Sequence, residues 1–226
     1  MTFSIVARDP QSKRVGIAIT TSSIAVGSRC PWVRSGVGAV ATQNITDPML
    51  GSRLLDLLEQ GMTADRALER ITSNEPNIEY RQLTLVDISG NVSHFSGQHI
   101  LGINAVAAAE NCVAAGNLLA NTSVPQAIVT HFVNRQKDLH LAQVLIESLK
   151  AGIAAGGEQG SVHSASVMVA HEQPWPEVDL RIDWTDDDPI EALYRLWQAY
   201  APQSQDYITR AVSPQAAPSY GVPGDE

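Results

Sequence analysis

Thr2-Phe3-Ser4-Ile5-Val6-Ala7 and Val15-Gly16-Ile17-Ala18-Ile19-Thr20-Thr21 flank the segment Arg8-Asp9-Pro10-Gln11-Ser12-Lys13. The middle segment carries turn chemistry: proline fixes its φ, and Asp and Ser fold back on their own backbone. The flanks are apolar at nearly every position, the pattern of strands covered on both faces. The stretch therefore reads as a hairpin that returns Thr20 and Thr21 to the start of the first strand. Val37-Gly38-Ala39-Val40-Ala41-Thr42-Gln43 has the same character and reads as a third buried strand.

Outward from this hairpin, helices alternate with strands in blocks. Leu54, Leu55, Leu57 and Leu58 make an apolar stripe, and Gly61 stands where a helix C-terminus wants glycine. Thr63 caps the next helix, with Leu68 and Ile71 on its inner face. Residues 81–87 and 92–95 form a second hairpin about Ser89-Gly90-Asn91. A short strand at 111–116, helices at 125–134 and 139–153, strands at 164–170 and 178–183, and a last helix opened by Asp188-Pro189 follow. The two hairpins make the sheets mostly antiparallel. The block order predicts an α+β fold with sheets packed face to face and helices outside them. Residues 1–200 form one domain. Residues 201–226, with Pro202, Pro214, Pro218 and Pro223, read as a mobile tail.

Composition removes whole classes of function. The chain has 226 residues, 15 Lys+Arg against 24 Asp+Glu and a net charge of −9. That balance argues against a nucleic-acid partner, which needs a basic footprint. No apolar run reaches the ~20 residues of a membrane span. The opening residues lack a signal-peptide pattern, so a cytoplasmic protein is expected. Cys30 and Cys112 fit no metal spacing and read as buried thiols.

Several residues could carry chemistry. Thr2 follows Met1, and a small second side chain favours removal of the initiator methionine. The new terminus would hold a hydroxyl and an α-amine of pKa roughly 7.7–8.0 together, a nucleophile with its own base. Thr2 is equally an ordinary strand start. Ser22 and Ser23 end the second strand near it, either ordering the amine or satisfying loop backbone. Asn117 follows a buried strand, as does Gln43, with Asp47 shortly beyond; side-chain amides there can stabilise an oxyanion or simply hold a turn. Glu158, inside Gly156-Gly157-Glu158-Gln159-Gly160, could meet an amine. That loop lacks the lysine and hydroxyl of a phosphate loop. His94, His99 and His163 have no metal-ligand spacing, although a spatial cluster would make a metal-dependent hydrolase. Glu172 to Glu191 is an acidic edge with eight carboxylates and one arginine.

Taken together, Thr2-Phe3-Ser4-Ile5-Val6-Ala7-Arg8-Asp9-Pro10, Ala25-Val26-Gly27, Pro31-Trp32, Gly36 to Gln43, Gly116-Asn117, Ala154-Ala155-Gly156-Gly157, Ser164-Ala165 and Asp179 to Asp183 occur in the order of a known family. From Thr2 to about Trp197 the chain resembles the domain of unknown function 1028 family, grouped with the N-terminal nucleophile (Ntn) hydrolases. The resemblance implies a four-layer αββα sandwich and amide-bond hydrolysis by a residue at the mature N-terminus, by position Thr2; it does not carry a substrate, and the leading expectation is hydrolysis of a small-molecule C–N bond (amide, lactam or ureido). In that expectation a backbone N–H with Asn117 stabilises the oxyanion. Ser22 and Ser23 assist, and Gln43, Asp47, Glu158, His163 and Ser164 are the expected substrate contacts. No cofactor and no metal are expected. The partners expected are a small-molecule substrate and further copies of the chain, with neither nucleic acid nor membrane. The chain departs from the family pattern at Phe95-Ser96-Gly97, Asp47-Pro48-Met49-Leu50-Gly51, Gly156-Gly157-Glu158 and Gly160 to Ser164. Those departures suit an altered substrate or a non-catalytic binding module. The nucleophile reading requires a cavity beside Thr2.

Overall fold

The opening hairpin forms as β1 (Thr2–Arg8) and β2 (Val15–Thr21), antiparallel, with Thr2 opposite Thr21. The chain, seen as a computed structural model, is described over residues 1–136 and 138–224. β3 (Pro31–Arg34), β4 (Gly38–Asn44), α1 (Met49–Glu59), α2 (Ala64–Thr72), β5 (Arg81–Asp87), β6 (Val92–Ser96), β7 (Ala105–Ala109) and β8 (Cys112–Asn117) follow. α3 (Val124–Val133), α4 (Leu141–Ala154), β9 (Ser164–Ala170), β10 (Val178–Ile182), α5 (Pro189–Tyr200) and α6 (Ser204–Val212) complete the chain. The fold is mixed α+β. One sheet has the order β10-β9-β2-β1-β8-β7 and the other β3-β4-β5-β6. Every strand pairing among the described residues is antiparallel.

Alternation along β1 explains the packing. Phe3, Ile5 and Ala7 point to the side where Ile128 and Phe132 of α3 and Leu145 and Leu149 of α4 form the larger core. Val6 points the other way and, with Ile17, Val113 and Met168, meets Ala39, Ala41 and Val86 of the second sheet. The far side of that sheet offers Val40, Leu83 and Leu85 to Leu50, Leu54 and Leu58 of α1 and to Leu68 and Ile71 of α2. Each large side chain so buried contributes about 1.5–3 kcal/mol.

The helix ends follow the local chemistry. The Thr63 side chain accepts from the Arg66 N–H, Asp188 accepts from the N–H groups of Ile190 and Glu191, and Gly61 takes φ +88° just past α1. Two strands lie outside the runs expected from sequence. β3 has four residues and begins with a proline, which suits a sheet edge. β7 is Ala-Val-Ala-Ala-Ala, nearly devoid of the branched side chains that mark strands. Beyond residue 200, α6 forms between Pro202 and Pro214; it has no buried side chain, and its Tyr207 ring stacks on Tyr200 at 5.9 Å. Cys30 and Cys112 are buried free thiols, and burial pushes the Cys112 thiol up to about 11. No helix among the described residues is long and apolar enough to cross a membrane.

Candidate active site

Directly opposed residues in antiparallel strands share a face, and their Cβ atoms stand roughly 4.5–5.5 Å apart. Thr2 pairs with Thr21 on one side and with Asn117 on the other, and Thr21 pairs with Ser164. The order Ser164–Thr21–Thr2–Asn117 is therefore one polar row across the end of the larger sheet. It faces the second sheet, as do Ser4 and Val6 further along β1. The next row inward, Ser166–Ile19–Ser4–Ala115, is half polar; the one after, Met168–Ile17–Val6–Val113, is apolar. Polarity thus rises toward one end of the space between the sheets.

Met1 lies over this row. The Thr2 hydroxyl donates to the Met1 carbonyl at 2.6 Å, and the Thr21 hydroxyl donates to the same oxygen. The two hydroxyl oxygens are 3.1 Å apart. The Ser23 hydroxyl stands 3.1 Å from that of Thr21 and accepts from the Arg29 guanidinium at 3.0 Å. A chain of donors thus runs from a fixed cation to the Met1 carbonyl. Thr2 is 7 % exposed, and the Met1 side chain reaches the Cα of Gly160, where an added Cβ would stand 3.1 Å from the methionine methyl.

Behind the row sits a buried amide network. The Ser4 hydroxyl donates to Gln43 Oε1 at 2.7 Å, and Gln43 Nε2 donates to Gln82 Oε1 at 2.8 Å. Asn117 Nδ2 donates to the same Gln82 oxygen at 3.2 Å, while Gln82 Nε2 donates to Ser96 Oγ and to the Gly116 carbonyl. One N–H of Asn117 is engaged by Gln82, and its second remains for another acceptor. The chain leaves Asn117 through Leu118, which takes φ +50°. That left-handed conformation costs a non-glycine residue roughly 1–2 kcal/mol. It brings Leu119 into a bridge with Glu158. On the partner side, Gly156 and Gly157 take φ of +123° and +60°, which glycine alone adopts freely.

Glu158 is the electrostatic outlier. It is 7 % exposed, and neither carboxylate oxygen has a hydrogen-bond partner. Burial pushes its pKa from 4.5 to about 8, only partly opposed by the Met1 α-ammonium and the Ser22 N–H. It is therefore largely a neutral acid at pH 7. Glu158 and Gly160 line a cavity of about 370 Å³ with Ile153, Asp186, Asp187 and Pro189. Thr2 does not line this cavity.

The site residues expected from sequence divide accordingly. Thr2, Asn117, Ser23 and Ser164 fall on or against the polar row, and the Ser22 N–H faces Glu158. Ser164 ties the strand to the 22–26 loop: its hydroxyl donates to the Ser23 carbonyl at 2.6 Å and accepts from the Val26 N–H. The His163 N–H donates to the Thr21 carbonyl at 2.8 Å. Its ring stacks on Trp184 at 4.4 Å, and its Nδ1 donates to the Thr185 carbonyl. Gln43 is 1 % exposed and belongs to the amide network between the sheets. Asp47 accepts from the Met49 N–H at the start of α1 and has no contact with the row. His94, His99 and His163 are not brought together, and no three His, Cys, Asp or Glu side chains among the described residues are placed to hold a metal ion. The sequence alone left Gln82, Arg29 and the direct role of Thr21 unassigned. Counting the hairpin register back from Thr2 identifies Thr21; the other two depend on contacts between distant segments.

A family model described as "Family of unknown function (DUF1028)" matches residues 2–193. The crystal structure of protein SPO2555 from Silicibacter pomeroyi, carrying the same family description, is 33 % identical, with a TM-score of 0.81. The match covers 88 % of this chain and 89 % of that one. Anbu (ancestral beta-subunit) from Yersinia bercovieri is 14 % identical with a TM-score of 0.40, over 89 % of this chain and 95 % of that one. Anbu from Hyphomicrobium sp. strain MC1 is 10 % identical with a TM-score of 0.39, over 97 % and 100 %. Likeness at these TM-scores carries no argument for this chain. No curated protein matches it.

Proposed function

The chain belongs to the family of unknown function DUF1028, and from that premise we propose that it is a hydrolase of a small-molecule C–N bond acting through Thr2 as an N-terminal nucleophile. The two packed sheets with helices outside both are, in this proposal, the four-layer αββα sandwich of Ntn hydrolases. Residues 1–200 make the single domain and 201–226 a tail.

One observation carries the proposal. The Thr2 hydroxyl stands in a buried polar row at one end of the inter-sheet space, beneath a carbonyl oxygen that it and Thr21 both hold. Removal of Met1 would leave an α-amine, a hydroxyl and a vacated acyl position together.

The Thr2 amine takes the proton of Oγ1, and Oγ1 bonds to the carbonyl carbon of an amide. Asn117, through the N–H not engaged by Gln82, meets the oxyanion. The C–N bond breaks and the ammonium returns its proton to the leaving nitrogen. The ester on Thr2 is then hydrolysed by water, which restores the hydroxyl. Thr21, backed by Ser23 and Arg29, orients the amine.

A second reading, a non-catalytic binding module for small molecules, is favoured by the burial of Thr2, 7 % exposed and bonded to the Met1 carbonyl. A panel of small amides, lactams and ureides separates the two. Turnover by the wild type, its loss in Thr2→Ala and partial rescue in Thr2→Ser are expected. Equal turnover in wild type and Thr2→Ala would move the chemistry elsewhere, and ligand binding with no turnover would favour the binding module.

A further inference from the structure

Met1 occupies the position an acyl group would take, and its surroundings describe what that group must look like. Its carbonyl oxygen is held by the hydroxyls of Thr2 and Thr21. Its side chain runs along Gly160, where no side chain competes for the space. Its α-ammonium lies within electrostatic reach of Glu158, yet no hydrogen bond joins them. Glu158 in turn is 93 % buried by its 7 % exposure, with both oxygens unpartnered. The bridge to Leu119 holds it two residues beyond Asn117. A buried carboxyl without partners costs stability unless something completes it. Every other charged group around the adjoining cavity is an acid: Asp186, Asp187 and Asp188. The facing histidine, His163, gives its Nδ1 proton to the Thr185 carbonyl.

We infer that Glu158 is the recognition group for a primary ammonium on the acyl part of the substrate, so that the compounds cleaved are amides of small amino acids with a free amine. The inference rests on the Thr2 reading, because only removal of Met1 vacates the place. Met1 is then an internal stand-in for the ligand: carbonyl over the nucleophile, amine toward Glu158, side chain over Gly160. A free ligand lacks the peptide tether that keeps the Met1 ammonium from Glu158, so it can complete the charge-assisted pair.

The test uses protein whose intact mass lacks Met1, titrated calorimetrically with methioninamide and with 4-(methylthio)butanamide, the same amide without the amine. Methioninamide is expected to bind about 10- to 100-fold more tightly, the range of one charge-assisted hydrogen-bonded contact. Glu158→Gln is expected to erase that preference. Glu158→Asp, which keeps the carboxyl group on a shorter arm, is expected to retain part of it. Equal affinity of the wild type for both amides, or no binding of either, overturns the ammonium subsite. In that case Thr2-dependent turnover of neutral amides would still stand. A protein that retains Met1 in every molecule overturns both proposals together, and the mass measurement reveals which failure has occurred.

Discussion

Glu158→Gln should make the protein more stable, and by an amount that depends on pH. In the folded chain the carboxyl moves from 4.5 to about 8 through burial. At pH 7 it is ionised when unfolded and largely neutral when folded. The folded state therefore binds the extra proton, and stability falls as pH rises from near 4.5 to near 8. Each unit is worth about 1.36 kcal/mol. At pH 7 the roughly 2.5 units above the ordinary value amount to about 3 kcal/mol. At pH 5 the cost is below about 1 kcal/mol, and above pH 8 it levels near 4–5 kcal/mol. Glutamine has nearly the same shape and no proton to exchange. Urea unfolding of both proteins at pH 5, 7 and 9 measures the difference directly. The variant's advantage should be small at pH 5, about 3 kcal/mol at pH 7 and larger at pH 9. A constant offset across that range would refute the assignment of Glu158 as a buried, partnerless acid.

Other perturbations read other parts of the structure. Asn117→Ala should lower turnover by roughly two to three orders with little change in KM, the usual effect of deleting one oxyanion donor; steady-state kinetics on the best substrate of the amide panel checks it. Gln82→Leu removes the acceptor shared by Gln43 and Asn117 and the donor to the Gly116 carbonyl. With about 1–3 kcal/mol for each buried group left alone, a loss of at least about 3 kcal/mol is expected in urea melts. A neutral result would mean that water replaces the side chain. Gly51→Ala places a Cβ 2.1 Å from Trp32 Cδ1. It should push α1 off β3 and cost about 1–3 kcal/mol, visible as a lowered Tm and a changed Trp32 environment in near-ultraviolet dichroism. Glu177, which pairs with Arg14 and His140, is held below its ordinary value by those partners despite its burial. Its folded pKa is depressed, so stability is lost as pH falls through that value, and Glu177→Gln should flatten the acid limb of a stability profile.

Much of this architecture could be read from β1 and β2 alone. Their unbroken apolar runs announce strands covered on both sides, and Pro10 with Asp9 and Ser12 announces the turn. The register then brings Thr21 to Thr2. β7 escaped because five residues of alanine and valine say little about strand or helix. β3 escaped because Pro31 hides a four-residue edge strand. At the site, what is local in sequence was legible: Asn117 at a strand end, and Glu158 just after Gly156 and Gly157, both of positive φ. The amide network was not, because Ser4, Gln43, Gln82 and Asn117 lie on four strands of two sheets. Asp47 and Gln43 stand apart from the row: Asp47 accepts from the Met49 N–H, and Gln43 belongs to the amide network between the sheets.

The most direct test is peptide mapping by mass spectrometry of the N-terminus, on protein isolated from cells and again after exposure to an activated ester. The account predicts that the first peptide begins at Thr2 and gains a hydroxylamine-labile acyl ester on the Thr2 hydroxyl, and that this labile ester is missing from Thr2→Ala. An intact Met1–Thr2 bond in all molecules, or acylation confined to another residue, would contradict it.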